Sequence, residues 1–131
     1  MHTLEEVKAR FEGDRFARSS GAEIVSAGLG EAECRLALED RHMNANSVPM
    51  GGAIFTLADF AYGVAANGCS GRNSVSQHVS ITYLAPAKGN VLTARASCIR
   101  SGRKTCLYQV TVTDELGTQV AYATVNGFEV G

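Results

Sequence analysis

Two adjacent glycines, Gly51 and Gly52, stand at the head of the most apolar stretch of the chain, and eight residues beyond the first comes that stretch's only charge, Asp59. A glycine pair opening a helix leaves backbone N–H groups unpaired and sterically open. The helix dipole adds partial positive charge at the same place. Together they suit the oxygen of a polarised carbonyl as it gains negative charge. Asp59, alone among apolar neighbours, is expected to have a raised pKa unless hydrogen bonds offset the burial, which makes it a candidate base or nucleophile. Eight residues of helix span about 12 Å at 1.5 Å per residue. One carbonyl therefore cannot meet both an N–H of Gly51 and the carboxylate of the same Asp59. If both act on one bond, Asp59 comes from a second subunit packed antiparallel to the first, and the sites occur in symmetry-related pairs.

The elements that must carry these residues are legible in the residue pattern. Thr3-Leu4-Glu5-Glu6 has the form of a capping box, and Leu4, Val7 and Phe11 share one face of a short helix ending near Gly13. Residues 22–39 read as a hairpin: Ala32, Cys34, Leu36 and Leu38 alternate with polar positions, and Gly28-Leu29-Gly30 supplies the turn. A polar loop from Asp40 to Met50 leads into a helix over 51–66. Beyond Gly71 the chain alternates. Val75, Gln77, Val79, Ile81 and Tyr83 are expected on one strand face, with Ser76, His78, Ser80 and Thr82 on the other. Further strands are expected through Leu92–Cys98, Cys106–Val112 and Thr118–Phe128, the first two joined by a turn at Ser101-Gly102-Arg103. Strands grouped around one helix imply an α+β domain whose curved antiparallel sheet, of five to six strands, wraps that helix. The helix at 51–66 is apolar almost all round, so the side the sheet leaves open calls for a second subunit.

The bulk properties narrow the function classes. At 131 residues the chain fits one domain over 1–131. Twelve basic against thirteen acidic residues give no basic excess for nucleic acid. The apolar stretch from Gly51 to Ala66 is short for a membrane span and holds a charge, and the charged N-terminus lacks a signal peptide's apolar core. A cytoplasmic protein without membrane attachment is expected. Cys34, Cys69, Cys98 and Cys106 form no C-x-x-C pair, and are expected to be reduced and mostly buried. His2, His42 and His78 have no metal-ligand spacing, so no metal is expected. His42 reads as a loop hydrogen-bonder more readily than as a catalyst.

The run H-M-N-x(6)-G-G-A-I-F-T-L-A-D, joined to V-S-x-x-x-S-I-T-Y-L-x-P-A, resembles the hotdog-fold acyl-CoA thioesterases of the phenylacetate-pathway, PaaI-like, type. The likeness covers nearly the whole chain. It implies a hotdog fold around a long central helix, assembled as a homodimer or a homotetramer built as a dimer of dimers. It also implies hydrolysis of an acyl-CoA thioester with no cofactor, coenzyme A being part of the substrate. By resemblance the Gly51 N–H holds the oxyanion, and Asp59 acts as general base or nucleophile. Asn44 lies near the thioester, and Ser76 orients water beside the carboxylate. Arg100, Arg103 and Lys104 are placed to meet the phosphates of coenzyme A. Many members carry histidine immediately before the glycine pair. Here Met50 takes that place, and with Gly52 it is expected to line the acyl pocket.

Blander readings stand beside these. The glycine pair also serves as a tight helix start, and Asp59 as a helix acid satisfied by backbone groups. Asn44 also reads as a turn residue bonding its own backbone, Ser76 as one hydroxyl among several on a strand, and the basic cluster as a solvated turn. The alternative function is a weakly catalytic or non-catalytic acyl-CoA binding module, for which Met50 is the argument. A hotdog hydratase is disfavoured because the helix carries no histidine.

Overall fold

The computed structural model describes residues 2–131. Three α-helices, α1 (Leu4–Arg10), α2 (Arg15–Ser20) and α3 (Gly51–Asn67), accompany six strands: β1 (Ala22–Gly28), β2 (Glu31–Ala37), β3 (Ser74–Tyr83), β4 (Val91–Ser101), β5 (Thr105–Asp114) and β6 (Gln119–Glu129). The strands form one sheet in the order β1-β2-β4-β5-β6-β3. All five pairings are antiparallel. The sheet wraps α3, giving the expected hotdog arrangement.

Local chemistry starts and stops each element. Thr3 caps α1 with the full capping box, its hydroxyl accepting from the Glu6 N–H while the Glu6 carboxylate accepts from the Thr3 N–H. The short α2, which periodicity did not indicate, ends on Gly21 with φ 102°. β1 and β2 close on a tight turn at Leu29–Gly30. The turn after β5 is organised by Asp114, whose carboxylate accepts from the N–H groups of Lys88, Gly89, Leu116 and Thr118.

The core lies between the concave face of the sheet and α3. Leu36, Leu92, Val110, Val112, Val120 and Val125 rise from the strands to meet Leu57, Ala61 and Val64 of the helix, all essentially without solvent contact. Each fully buried aliphatic side chain of this size contributes about 1.5–3 kcal/mol. β3 is the outer strand next to β6, and most of its residues are exposed in the single chain.

Two expectations need correction. The single alternation from Val75 to Tyr83 is broken by a bulge: Ser76 pairs with Gly127 and His78 with Asn126, leaving Gln77 unpaired. Gly127, Val125, Ala123 and Ala121 face the core. Their partners Ser76, Val79, Ile81 and Tyr83 therefore share the concave side, while Val75 falls on the other. The extra residue switches the face before the bulge, as such insertions do. The cysteines are all free, but only Cys34 and Cys106 are buried. Cys69 is half-buried, and Cys98 is exposed where β4 bulges before Arg100.

Candidate active site

The chain approaches α3 through a small closed loop. Met43 and Pro49 form an isolated bridge across it. Asn44 Oδ1 accepts from the Asn46 and Val48 N–H groups, at 2.8 and 3.3 Å, and Ser47 takes the left-handed conformation with φ 61°. His42, buried, braces the loop base. Its Nδ1 accepts from the Glu39 N–H at 2.9 Å, so the proton resides on Nε2, which donates to the Ser20 carbonyl at 2.6 Å. Asn44 thus spends its oxygen on the loop, and His42 is a brace.

Met50 is extended, with φ −68° and ψ 141°, and α3 begins at Gly51 without a capping side chain. The first helical hydrogen bonds run from Ala53 and Ile54 back to the Met50 carbonyl. Among the described residues the N–H groups of Gly51 and Gly52 meet no acceptor, and the helix dipole reinforces them. Tyr83 packs on Gly51 and donates its hydroxyl to the Gly51 carbonyl at 3.0 Å. A Cβ on Gly51 would lie 3.0 Å from the Tyr83 ring, which requires glycine there unless the ring moves. Gly52 has open space around it. Met50 is 57% exposed.

Two turns into the helix, Asp59 is half-buried on the stripe of α3 that the sheet leaves uncovered. It borders a cavity of about 350 Å³, lined also by Phe16, Phe55, Thr56 and Phe60, with Asp14 at its rim. That volume lies in the lower range of small-molecule pockets. Burial pushes the Asp59 pKa above the ordinary carboxylate value, and the nearby Asp14 charge adds to the rise. The Ser76 hydroxyl opposes both by favouring the charged form. The β3 bulge turns Ser76 to the concave side, on the side of the helix that carries Asp59.

The basic residues lie elsewhere. Arg103 and Lys104 are exposed in the β4–β5 turn, and Arg100 lines a groove of about 410 Å³ with Gln77, His78 and Asn126. Arg72, which sequence reasoning did not single out, stiffens this turn by donating to Glu129 Oε1 at 3.2 Å, Ser101 Oγ at 2.8 Å and the Arg103 carbonyl at 2.9 Å. The turn sits at the Ser74 end of β3, since Thr105 pairs with Phe128 and Ser74 with Glu129. Gly51 sits at the Tyr83 end. About 3.3 Å per residue along β3 separates the two ends by roughly 30 Å. One chain thus brings Asp59 and Ser76 together, groups Met50, Gly51 and Gly52 with Tyr83, and leaves the basic turn apart from that second group. Arg72 escaped sequence reasoning, while Tyr83, which reads from the sequence as a core aromatic first and acyl-pocket lining second, is 48% exposed and packs on Gly51, a contact its place in the I-T-Y run did not signal.

Among the described residues no cluster of potential ligands could hold a metal ion. No described helix is long and apolar enough to cross a membrane.

Known proteins share this sequence pattern and fold. The chain is 30% identical over 114 residues to the acyl-coenzyme A thioesterase PaaI of Escherichia coli K12, covering 86% of this chain and 81% of that protein. It is 31% identical over 115 residues to human acyl-coenzyme A thioesterase 13, covering 85% and 81%. The solved structure of the E. coli PaaI protein superposes with a TM-score of 0.91 at 26% identity, over 97% of this chain and 92% of that one. A hypothetical thioesterase protein of Streptococcus pneumoniae, solved with coenzyme A, superposes with a TM-score of 0.84 at 29% identity, over 92% and 97%. The family model described as the thioesterase superfamily matches residues 47–121, more than half the chain and the whole of α3, β3, β4 and β5, and the chain belongs to that superfamily.

Proposed function

We propose that the chain hydrolyses an acyl- or aryl-CoA thioester to the free acid and coenzyme A, at a site that a second copy completes. The observation that carries this reading is Asp59: a half-buried carboxylate on an otherwise apolar helix, beside a cavity, with a raised pKa and one hydroxyl turned towards it. Such a group accepts a proton near neutral pH better than an ordinary aspartate does.

The Gly51 N–H, at the positive end of the helix dipole, receives the thioester oxygen as it becomes negative. The partner's Asp59 either takes a proton from a water that adds to the carbonyl carbon, or adds to that carbon itself to form a mixed anhydride that water then hydrolyses to the free acid. In both routes the C–S bond breaks and the departing thiolate is protonated. Ser76 orients the water beside the carboxylate. Asn44, its oxygen engaged in the loop, shapes the approach to the thioester. Met50 and Gly52 line the acyl side, while Arg100, Arg103 and Lys104 receive the phosphates. The roughly 30 Å between the basic turn and Gly51 in one chain, and the 12 Å between Gly51 and Asp59, are both reconciled by an antiparallel homodimer; two such dimers make the tetramer.

A second reading, an acyl-CoA binding module with little turnover, is favoured by one observation. The exposed thioether of Met50 puts no polar side chain beside the open N–H groups. The test is coenzyme A release from a panel of aryl- and fatty-acyl-CoAs by the wild type and Asp59→Asn. Turnover that falls more than about a hundredfold in the folded variant supports hydrolysis through Asp59. Binding without turnover on any panel member supports the module instead.

A further inference from the structure

Behind Asp59, where α3 meets β3, three polar side chains are buried: Tyr62 at 2%, Ser74 at 7% and Asn67 at 8% exposure. They form one unit. Asn67 Nδ2 donates to the Ser74 carbonyl at 2.8 Å, and the Ser74 N–H donates to Asn67 Oδ1, also at 2.8 Å. One side-chain amide therefore pairs both backbone groups of a single strand residue, as a neighbouring strand would. The Tyr62 hydroxyl and Ser74 Oγ are 2.8 Å apart, and Cys106 Sγ lies 3.7 Å from each. The Tyr62 ring stands edge-on to Tyr108 at 5.3 Å. Gly127, on β6, leaves the space that the Tyr62 hydroxyl fills.

Apolar side chains would join α3 to β3 with less desolvation. What the polar unit adds is register, since hydrogen bonds fix one residue of the strand against the helix where apolar packing tolerates sliding. That residue is Ser74. Two positions on, still on the concave side and just before the bulge, stands Ser76. One turn before Tyr62 on the helix stands Asp59.

We propose that Tyr62, Asn67 and Ser74 form a positioning clamp that holds Ser76 against Asp59, acting on the reaction through Ser76 without touching substrate. Its catalytic consequence rests on the thioesterase reading; its geometric consequence does not. The groups that act on the Asp59 carboxylate are Ser76 from β3 and Asp14 before α2, while Tyr62, one turn on along the same helix, directs its hydroxyl to Ser74. Of these, only Ser76 favours the charged carboxylate, so a misplaced Ser76 raises the pKa of Asp59.

The test has two arms. In the free protein, ¹³C NMR follows the titration of the Asp59 carboxyl in wild type, Tyr62→Phe, Ser74→Ala and Ser76→Ala. Ser74→Ala keeps the backbone pairing with Asn67 and guards against a Tyr62 variant that fails to fold. In turnover, kcat and KM are measured against pH for the same proteins and for the double variant Tyr62→Phe/Ser76→Ala. The expected result is an upward shift of the Asp59 titration in all three single variants. In Tyr62→Phe, kcat falls about five- to tenfold with KM within twofold, and the acid limb of kcat moves to higher pH. The double variant should go no further than Ser76→Ala alone, because both changes remove one interaction. A titration that moves in Ser76→Ala but not in Tyr62→Phe or Ser74→Ala overturns the clamp, as do additive losses in the double variant. Absence of turnover in the wild type would remove the thioesterase reading while the NMR arm still decides the clamp.

Discussion

If each site takes its oxyanion donor from one subunit and its carboxylate from the other, two dead variants should restore each other when mixed. The partners are Asp59→Asn and Gly51→Pro. Proline is suited to the first helical position, where it deletes one N–H that has no helical acceptor. Met50 already has the extended backbone that a following proline requires. The new Cβ would lie about as close to the Tyr83 ring as 3.0 Å, but that ring is 48% exposed and free to give way. Loss of one oxyanion donor typically costs about 10²–10³ in kcat, and loss of the carboxylate is expected to cost at least as much. After subunit exchange at equal concentrations, half of the dimers are mixed. Each mixed dimer has one site with both defects and one with neither, so activity returns to about a quarter of wild type, far above either parent. The assay is coenzyme A release before and after exchange through mild denaturant, with the mixed species counted by native mass spectrometry. If both groups served from the same chain, every site would keep one defect and no activity would return. Mixed dimers formed without recovery would therefore refute the shared site, and a Gly51→Pro enzyme that is active alone would refute the Gly51 donor.

The other expectations concern stability. A carboxylate whose pKa is raised on folding favours the fold while protonated and loses that contribution as pH climbs from its unfolded to its folded value. Asp59→Asn should therefore melt higher than wild type at pH 7, with the gap closing below about pH 3.5; equal melting temperatures at pH 7 would contradict the raised pKa. Gly127→Ala would place a Cβ on the Tyr62 hydroxyl and within 2.7 Å of Cys106 Sγ and 2.8 Å of Ser74 Oγ, so urea denaturation should show a loss of about 1–3 kcal/mol. Gly52→Ala meets nothing within 4 Å and should gain about 0.5–1 kcal/mol by helix propensity, while losing activity if the thioester lies over that surface.

The parts of this molecule that were legible in the sequence are those governed by local periodicity. The period-2 runs in β2 and β5 place Cys34, Leu36, Tyr108 and Val110 in the core, and the apolar run after Gly51 forms α3. The bulge at Gln77 was not legible, because an extra residue is defined only against its partner strand, and β6 lies some forty residues later. With it went the face of Ser76: alternation alone would turn that hydroxyl away from the helix. Tyr62 was legible as a core aromatic but not as the partner of Ser74, and Asn67 gave no signal, since a polar residue near the end of an apolar helix looks like ordinary helix surface until the strand it binds is known. Asn44 shows the reverse. Its turn-forming alternative was legible, and the loop realises it.

The loop from Met43 to Pro49 has a consequence for association. Its backbone is cross-bridged, its Asn44 oxygen committed and its base held by His42 before any ligand arrives. Fixing a mobile segment on binding costs on the order of 1–2 kcal/mol per residue in backbone entropy. Seven residues ordered by folding carry that cost in advance, so affinity for the acyl group is not diluted by ordering this segment.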